Sequence, residues 1–422
     1  MERVKRLRPA NAPFEVVFEG TGSLSGRARV GRVFGAHSQA TSQTPAPLLL
    51  SLRGAFPNLP AALVPRCGVA GENSALVQIP MLDFIVLNAQ TGFSGVDLVN
   101  ALENKPLHAI ADATRGAVLF LSLKAAGSDD FADGGPGGGR SNAVGGDGRG
   151  GARRVKLTPA EVLKLQRALQ CDFFEAPSEQ AVFYMSDNVA DRSVVKTASM
   201  LQELVDAAAV DPSLQLLGSI QGGFELARRR TAAEDVAKHE SHLSGYVVSG
   251  MNGGETLENR IKCLAECVTA ISSPRLLRVC GGTGSPSEVL ESIAKGMDVI
   301  ESSYPFESAN SALALRLSSS RHKMDLRDTK YRLDRRVLVP GCPCEACSGY
   351  SRAYIHHLIN VHEILGTSLL AIHNLYDYWL FFEQIRCSIL QDRFLRFRQE
   401  FYDAMDAQAC AEDGGSDTEG NG

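Results

Sequence analysis

The run PGCPCEACSGY places Cys342, Cys344 and Cys347 within six residues, followed downstream by His373 in LLAIHNLYDY. Thiols spaced C-x-C-x-x-C converge on one ion only where the backbone turns tightly around it. Gly341 and Pro343 are residue types that permit or pre-set such a turn. Zn²⁺ in a structural site takes four soft or borderline ligands in a tetrahedron, and Cys₃His is one of its standard sets. The fourth ligand must come from an element that packs back onto the loop. His373 is one candidate; His356, His357 and His362 also lie downstream and are as readily helix-surface or satisfied core histidines. The other reading of the thiols is a redox cluster. The seven remaining cysteines (Cys67, Cys171, Cys263, Cys267, Cys280, Cys387, Cys410) are scattered, and the basic start MERVKRLRPA lacks the apolar core of a secretory signal. Both features argue for a reducing compartment, where clustered thiols bind metal more often than they pair.

With 422 residues, 44% of them hydrophobic and 22% charged, the chain has room for one to three soluble domains. Its net charge of −5 means that any nucleic-acid contact must come from a local basic face. No apolar run approaches the roughly 20 residues of a membrane-spanning helix. The expected place is therefore the cytoplasm; the nucleus and a peripheral site on the mitochondrial outer surface stay open.

Short apolar runs punctuated by Gly and Pro (FEVVFEG, ARVGRVFG, PLLLSL, LVQIPMLDFIVLN, AVLFLSL) make residues 1–126 a β-rich region that includes the start of a barrel. Residues 127–153 are a Gly/Asp-rich insertion with little to bury, expected to be disordered. Over residues 154–335, which open on LTPAEVLKLQRAL with Thr158 as N-cap and Pro159 in first helical position, strand-like and helical runs alternate. Such a succession means parallel strands with crossover helices, and several units favour a (β/α)₈ TIM-type barrel. Its site would lie in the loops after the strands: GSIQGG, SGMNGGE, VCGGTGSP and IESSYP. GGTGSP lacks the Gly-Lys-Ser/Thr ending of a phosphate loop, which excludes a P-loop nucleotidase. Residues 336–407 read as a zinc-binding helical subdomain and 408–422 as a disordered acidic tail. Arg386, Arg393, Arg396 and Arg398 lie along the last long helical pattern, either as a solvated face or as phosphate contacts.

With these residues laid out, the chain resembles the tRNA-guanine transglycosylase, or queuine tRNA-ribosyltransferase, family. CPCEACSGYSRAYIHHLINVHEILGTSLLAIHNLYDYWLFFEQIR is similar to that family's zinc segment, in which the histidine of the HN pair, here His373, is the fourth ligand. GSIQGG is similar to its G-x-VQGG, whose glutamine, here Gln221 beside Gly222, faces a bound base. GYVVSGMNGGE is similar to its GYAIGGLAVGE, which puts the backbone near Gly250 and the carboxylate of Glu255 in the base pocket. The resemblance implies an irregular (β/α)₈ barrel with an appended zinc subdomain and one structural Zn²⁺. It also implies base exchange at wobble position 34 of tRNAs with GUN anticodons (Asp, Asn, His, Tyr): a carboxylate attacks the ribose C1′, guanine leaves, and a 7-deazaguanine base, queuine in eukaryotes, displaces the enzyme.

The sequence departs from the catalytic pattern where the chemistry would sit. In the run Gly296 to Pro305, Glu301 fills the nucleophilic aspartate position, Ser302 follows in place of cysteine, and Phe306-Glu307 replace Thr-Arg. The DSGGFQ string that carries the other carboxylate is absent, and Asp129, Asp130, Asp187 and Asp191 are poorly placed to replace it. This pattern resembles the non-catalytic accessory subunit of the heterodimeric eukaryotic enzymes, which implies a catalytic partner chain and tRNA. Two other readings remain: an active transglycosylase with Glu301 as nucleophile, and a zinc-stabilised RNA-binding barrel with no part in base exchange.

Overall fold

The computed structural model describes residues 12–20, 26–52, 54–67, 73–80, 116–122, 159–179, 186–208, 214–251, 255–271, 273–317 and 323–413. The insertion expected at 127–153, with Asp129 and Asp130, lies outside them, as do Thr158 and the tail beyond 413. The chain divides into two compact units, one formed by Met1–Phe18, Arg29–Phe56 and Glu72–Ser302, the other by Glu19–Ala28, Pro57–Gly71 and Ser303–Gly422.

The first unit is a closed barrel of eight parallel strands: β4 (Ala46–Leu50), β5 (Leu76–Pro80), β6 (Val118–Ser122), β7 (Phe173–Glu175), β8 (Leu216–Ile220), β9 (Gly245–Val248), β10 (Leu277–Cys280) and β11 (Val299–Ser302). Each pairs with the next, and β11 closes onto β4 with Val299 opposite Ala46 and Glu301 opposite Leu48. Helices α1 (Pro159–Leu169), α2 (Asp187–Ala208), α3 (Leu226–Ala237), α4 (Leu257–Ala270) and α5 (Pro286–Ala294) make the crossovers. Pro159 does open α1, where a missing N–H costs nothing.

Because side chains alternate along a strand, every second residue faces the interior. Leu48, Leu76, Val118, Phe120, Phe173, Leu217, Val247, Leu277, Val279 and Val299 form one core cluster, with Phe120 and Phe173 stacked at 4.6 Å. A sheet of β1 (Phe14–Glu19), β2 (Arg29–Phe34) and β3 (Thr41–Thr44) contributes Phe14 and Val33 to the same cluster. Arg29 on β2 is fully buried; its guanidinium donates to Asp298 (2.7 and 2.5 Å) and to the carbonyls of Pro274 and Leu276, all just ahead of β10 and β11. The small sheet therefore closes the barrel at the N-terminal ends of its strands and leaves the C-terminal ends for a site.

The second unit holds α6 (Tyr304–Asn310), the antiparallel pair β12 (Leu313–Leu315) and β13 (Lys323–Asp325), α7 (Glu345–Gly349), α8 (Arg352–Asn360), α9 (Ile364–Leu390) and α10 (Phe394–Asp413). Two left-handed residues interrupt the helical segment expected over 336–407. His362 (φ 58°) separates α8 from α9, and Asp392 (φ 53°) separates α9 from α10. The Ala-rich stretch AMDAQACAED carries α10 to Asp413, into the segment expected as tail. α9 is buried along most of its length, with Tyr378, Phe381 and Phe382 at its centre and Phe401 of α10 against Phe381 at 5.3 Å. No described helix is long and apolar enough to cross a membrane.

Candidate metal centre and barrel mouth

Gly341 adopts φ +81° at the turn into the cysteine loop, a conformation that a side chain would strain. Cys344 then caps the short helix α7, its Sγ accepting from the Cys347 backbone N–H at 3.4 Å. His373 arrives from the buried face of α9, and its Nδ1 lies 3.7 Å from the Sγ of Cys342 and 3.5 Å from those of Cys344 and Cys347. All four ligand atoms lie within 4.8 Å of one another. A tetrahedron with Zn–S near 2.3 Å and Zn–N near 2.0–2.1 Å has N···S edges of about 3.5 Å and S···S edges of about 3.8 Å. The three N···S distances thus already fit the edges of a four-coordinate zinc site.

The second nitrogen of His373 fixes the tautomer. Nε2–H donates to the Leu315 carbonyl on β12 at 2.8 Å, so Nδ1 presents its lone pair to the metal. The next residue continues the stitching: Asn374 accepts from Leu315 N (2.8 Å) and donates to the carbonyls of Pro305 and Leu313, while Asp377 accepts from Leu317 N. The other histidines are excluded by position. His356 is buried but bonds the Leu326 carbonyl at 2.7 Å, and His357 and His362 are exposed. Four protein ligands leave no open position for water, so the zinc is structural.

At the barrel mouth, strand alternation continues past the apolar layer into polar residues. Gln78, Ser122, Glu175, Ser219, Ser249 and Glu301 stand two residues beyond Leu76, Phe120, Phe173, Leu217, Val247 and Val299, and all are buried. Gln78 Nε2 donates to Glu301 Oε1 at 2.9 Å. Ser122 and Ser249 donate to the two oxygens of Glu175 at 3.1 and 3.2 Å. Gln221 is fully buried; its amide donates to Ser178 (3.1 Å) and Ser219 (3.4 Å), and its Oε1 has no hydrogen-bond partner among the described residues.

The glycine loops after β8 and β9 are organised by a side chain that motif reading passed over. Arg229, fully buried on α3, donates to the carbonyls of Gly223 (2.7 Å), Ile220 (3.0 Å), Ser249 (2.7 Å) and Gly250 (3.2 Å). Gly222 (φ 136°), Gly223 (φ 59°) and Gly250 (φ 69°) supply the left-handed backbone that turns those carbonyls toward one guanidinium. Glu255 is held by Arg260 of α4 at 3.0 Å, and Arg260 also donates to the Gly281 carbonyl after β10. In GGTGSP, Glu288 accepts from Thr283 Oγ1, Gly284 N and Ser285 N, so the loop's donors serve its own carboxylate. Asp187 and Asp191 sit on α2, exposed, where both bind Arg228. Of the helix arginines, Arg386 is buried, which lowers its pKa to about 10, while Arg393 and Arg396 bond Gln391 and Glu400. The mouth residues that the motifs did not single out, Gln78, Ser122 and Glu175, did leave a trace in the sequence: LVQIP, VLFLS and FFE each bring a polar residue into an apolar strand.

The profile of the family described as queuine tRNA-ribosyltransferase matches residues 149–407. Among similar proteins, the queuine tRNA-ribosyltransferase of Pelotomaculum thermopropionicum is 34% identical over 249 residues, 58% of this chain and 64% of that protein. That of Synechococcus elongatus is 31% identical over 241 residues, 57% of this chain and 61% of its own length. That of Aquifex aeolicus is 29% identical over 246 residues, covering 58% and 64%. The matched span is thus under two thirds of the length of each relative. The closed parallel barrel and the Cys₃His cluster are the two features that the sequence resemblance implied, and the profile match takes in five of the eight barrel strands, β7 to β11, and all four metal ligands. The chain belongs to the queuine tRNA-ribosyltransferase family.

Proposed function

We propose that this chain is a non-catalytic, zinc-stabilised accessory subunit that acts with a catalytic tRNA-guanine transglycosylase chain, exchanging guanine for queuine at position 34 of tRNAs with GUN anticodons. The observation that carries this reading is the state of Glu301. At the position where the family's chemistry calls for a nucleophilic aspartate, the side chain is one methylene longer, 7% exposed, and bonded to the Gln78 amide. A nucleophile displaced by about 1 Å loses on the order of a hundredfold in rate. Gln78 also stabilises the carboxylate that would have to attack.

One observation favours the second reading, an active transglycosylase with Glu301 as nucleophile: Glu175 and Glu301 give the barrel interior two carboxylates, and base exchange uses two. In that scheme Glu301 would form the bond to C1′, guanine would depart as the C1′–N9 bond broke, and Glu175 would manage protons on the bases. The remnant base contacts would be Gln221, Gly222, Gly250 and Glu255 in either case.

Guanine exchange into a GUN-anticodon tRNA separates the two. We expect no exchange by the purified chain alone, and equal exchange by the catalytic chain paired with the unaltered protein or with Glu301→Gln. Exchange by the chain alone that Glu301→Gln abolishes would overturn the accessory assignment.

A further inference from the structure

The segment between β13 and the zinc loop has a construction that neither the metal site nor the barrel explains. It contains three Asp-x-Arg/Lys units with one geometry. Asp325 Oδ1 accepts from Arg327 N at 2.9 Å and its carboxylate pairs with the Arg327 guanidinium at 2.7 Å. Asp328 does the same with Lys330 (2.9 and 2.6 Å), and Asp334 with Arg336 (3.0 and 2.7 Å). Each aspartate both closes a turn and neutralises its own cation.

Two cations are left over. Arg332 and Arg335 are exposed and have no ion-pair partner among the described residues, and Leu333 between them is 85% exposed, which marks the tip of the turn. The tip stands on a fixed base. Arg352, buried at the start of α8, donates to Asp334 (3.0 Å) and to the carbonyls of Val337 (2.9 Å) and Leu338 (3.0 Å). Ala353 N bonds the Asp334 carbonyl at 2.8 Å. Among the arginines of the last helices, by contrast, Arg393 and Arg396 are engaged on their own helix or turn.

We propose that the 332–336 turn is an RNA-docking ridge, with Arg332 and Arg335 contacting backbone phosphates. This rests on the reading of the chain as a tRNA-binding subunit. The chemistry favours phosphate. A guanidinium fork matches phosphate oxygens bidentately and is weakly hydrated, so it exchanges water for phosphate at small cost. In a chain of net charge −5, RNA contact needs a local basic face, and here the nearby carboxylates are already committed to their turns. Because the backbone is held by Arg352, the two side chains pay most of the ordering entropy of binding and the loop pays little.

The test is tRNA binding by fluorescence anisotropy, using a GUN-anticodon tRNA and the full chain, alone and mixed with a catalytic family member, over a range of KCl. Arg332→Ala/Arg335→Ala is compared with the unaltered protein, Arg332→Lys/Arg335→Lys and the control Arg396→Ala. We expect the double alanine variant to bind about tenfold more weakly, with the slope of log K against log salt reduced by about 1.4 to 1.8, the loss of two phosphate contacts. The lysine variant should recover most of the slope, and zinc content and melting temperature should not move. An unchanged slope in a protein that binds tRNA overturns the ridge alone. Absence of tRNA binding by the unaltered chain and by its mixture overturns both the ridge and the functional reading beneath it. Loss of partner association with tRNA affinity intact would assign the ridge to a protein contact and overturn the RNA assignment.

Discussion

His373 and Asn374 are neighbours on α9 that bind the same strand, β12, yet only one is a metal ligand, so substituting each separates coordination from packing. Asn374→Ala removes three hydrogen bonds, to Leu315 N, Pro305 O and Leu313 O. Leaving buried backbone groups without partners costs about 1–3 kcal/mol each before relaxation, and such losses are not additive, so we expect about 2–4 kcal/mol. At about 2–4 °C per kcal/mol for a domain of this size class, the melting temperature should fall by about 4–16 °C. Zinc should stay at one per chain. His373→Ala loses a single bond, to Leu315 O, but takes away one of four ligands. Structural zinc sites carry apparent binding free energies of about 10–16 kcal/mol, as large as the whole stability of a typical domain. That variant should therefore purify without stoichiometric zinc and lose cooperative unfolding of the zinc unit, and a chelator should bring the unaltered protein to the same state. Elemental analysis and calorimetry read both quantities. A His373→Ala protein with full zinc, or an Asn374→Ala protein without it, would refute the assignment of ligand and brace.

Three further outcomes follow from the barrel. Asp298→Asn leaves the Arg29 guanidinium buried beside a neutral partner (the side chains are 0% exposed on both sides), and should destabilise by about 3–5 kcal/mol in urea unfolding; a loss below about 1 kcal/mol would mean that the carbonyls of Pro274 and Leu276 suffice. Gly245→Ala places a methyl 2.8 Å from Leu277 Cβ and 2.9 Å from Leu217 Cδ2, an overpacking that should cost about 1–3 kcal/mol, read the same way. Burial raises the thiol pKa of Cys267 to about 12 and of Cys280 to about 11, from 9.0. The folded state thus keeps protons that the unfolded state releases above pH 9, so each contribution is complete below that pH and declines by about 1.4 kcal/mol per pH unit until the folded pKa is reached. The urea midpoint should fall less steeply above pH 9 in Cys267→Ala/Cys280→Ala; identical slopes would contradict the burial argument.

Where a residue's role depends on near neighbours in sequence, the role was legible. The C-x-C-x-x-C loop needs only a tight turn, and the βα alternation needs only periodicity, so both the metal loop and the barrel could be read from the chain. The choice among His356, His357, His362 and His373 could not be made from spacing, because what decides it is the Leu315 carbonyl, 58 residues away in sequence. The helix breaks at His362 and Asp392 were hidden for a related reason: apolar periodicity continues across them, and only the positive φ of one residue interrupts it. Arg229 is the middle of three consecutive arginines in ARRRT, a run in which residue type alone does not single it out. Its neighbours Arg228, half-buried, and Arg230, exposed, pair with Asp187, Asp191 and Glu266, and the helix phase relative to β8 and β9 sends the middle one inward.

That arrangement bears on how a barrel of this family could lose its chemistry, as the proposed accessory role requires, without losing its architecture. The mouth is held by Arg229 and Arg260, whose partners are mainly backbone carbonyls of Ile220, Gly223, Ser249, Gly250 and Gly281. A carbonyl is present whatever the side chain, so these clamps are indifferent to the identity of the residues that would perform base exchange. Glu301 is in turn tied to Gln78, a neighbour two strands away across β4. Replacing an aspartate by a glutamate there leaves the bonds of Arg229 and Arg260 to these backbone carbonyls in place. On the accessory-subunit reading, chemistry and shape are carried by separate residues, and the sequence was free to change the first while the second still presents a folded partner to the catalytic chain.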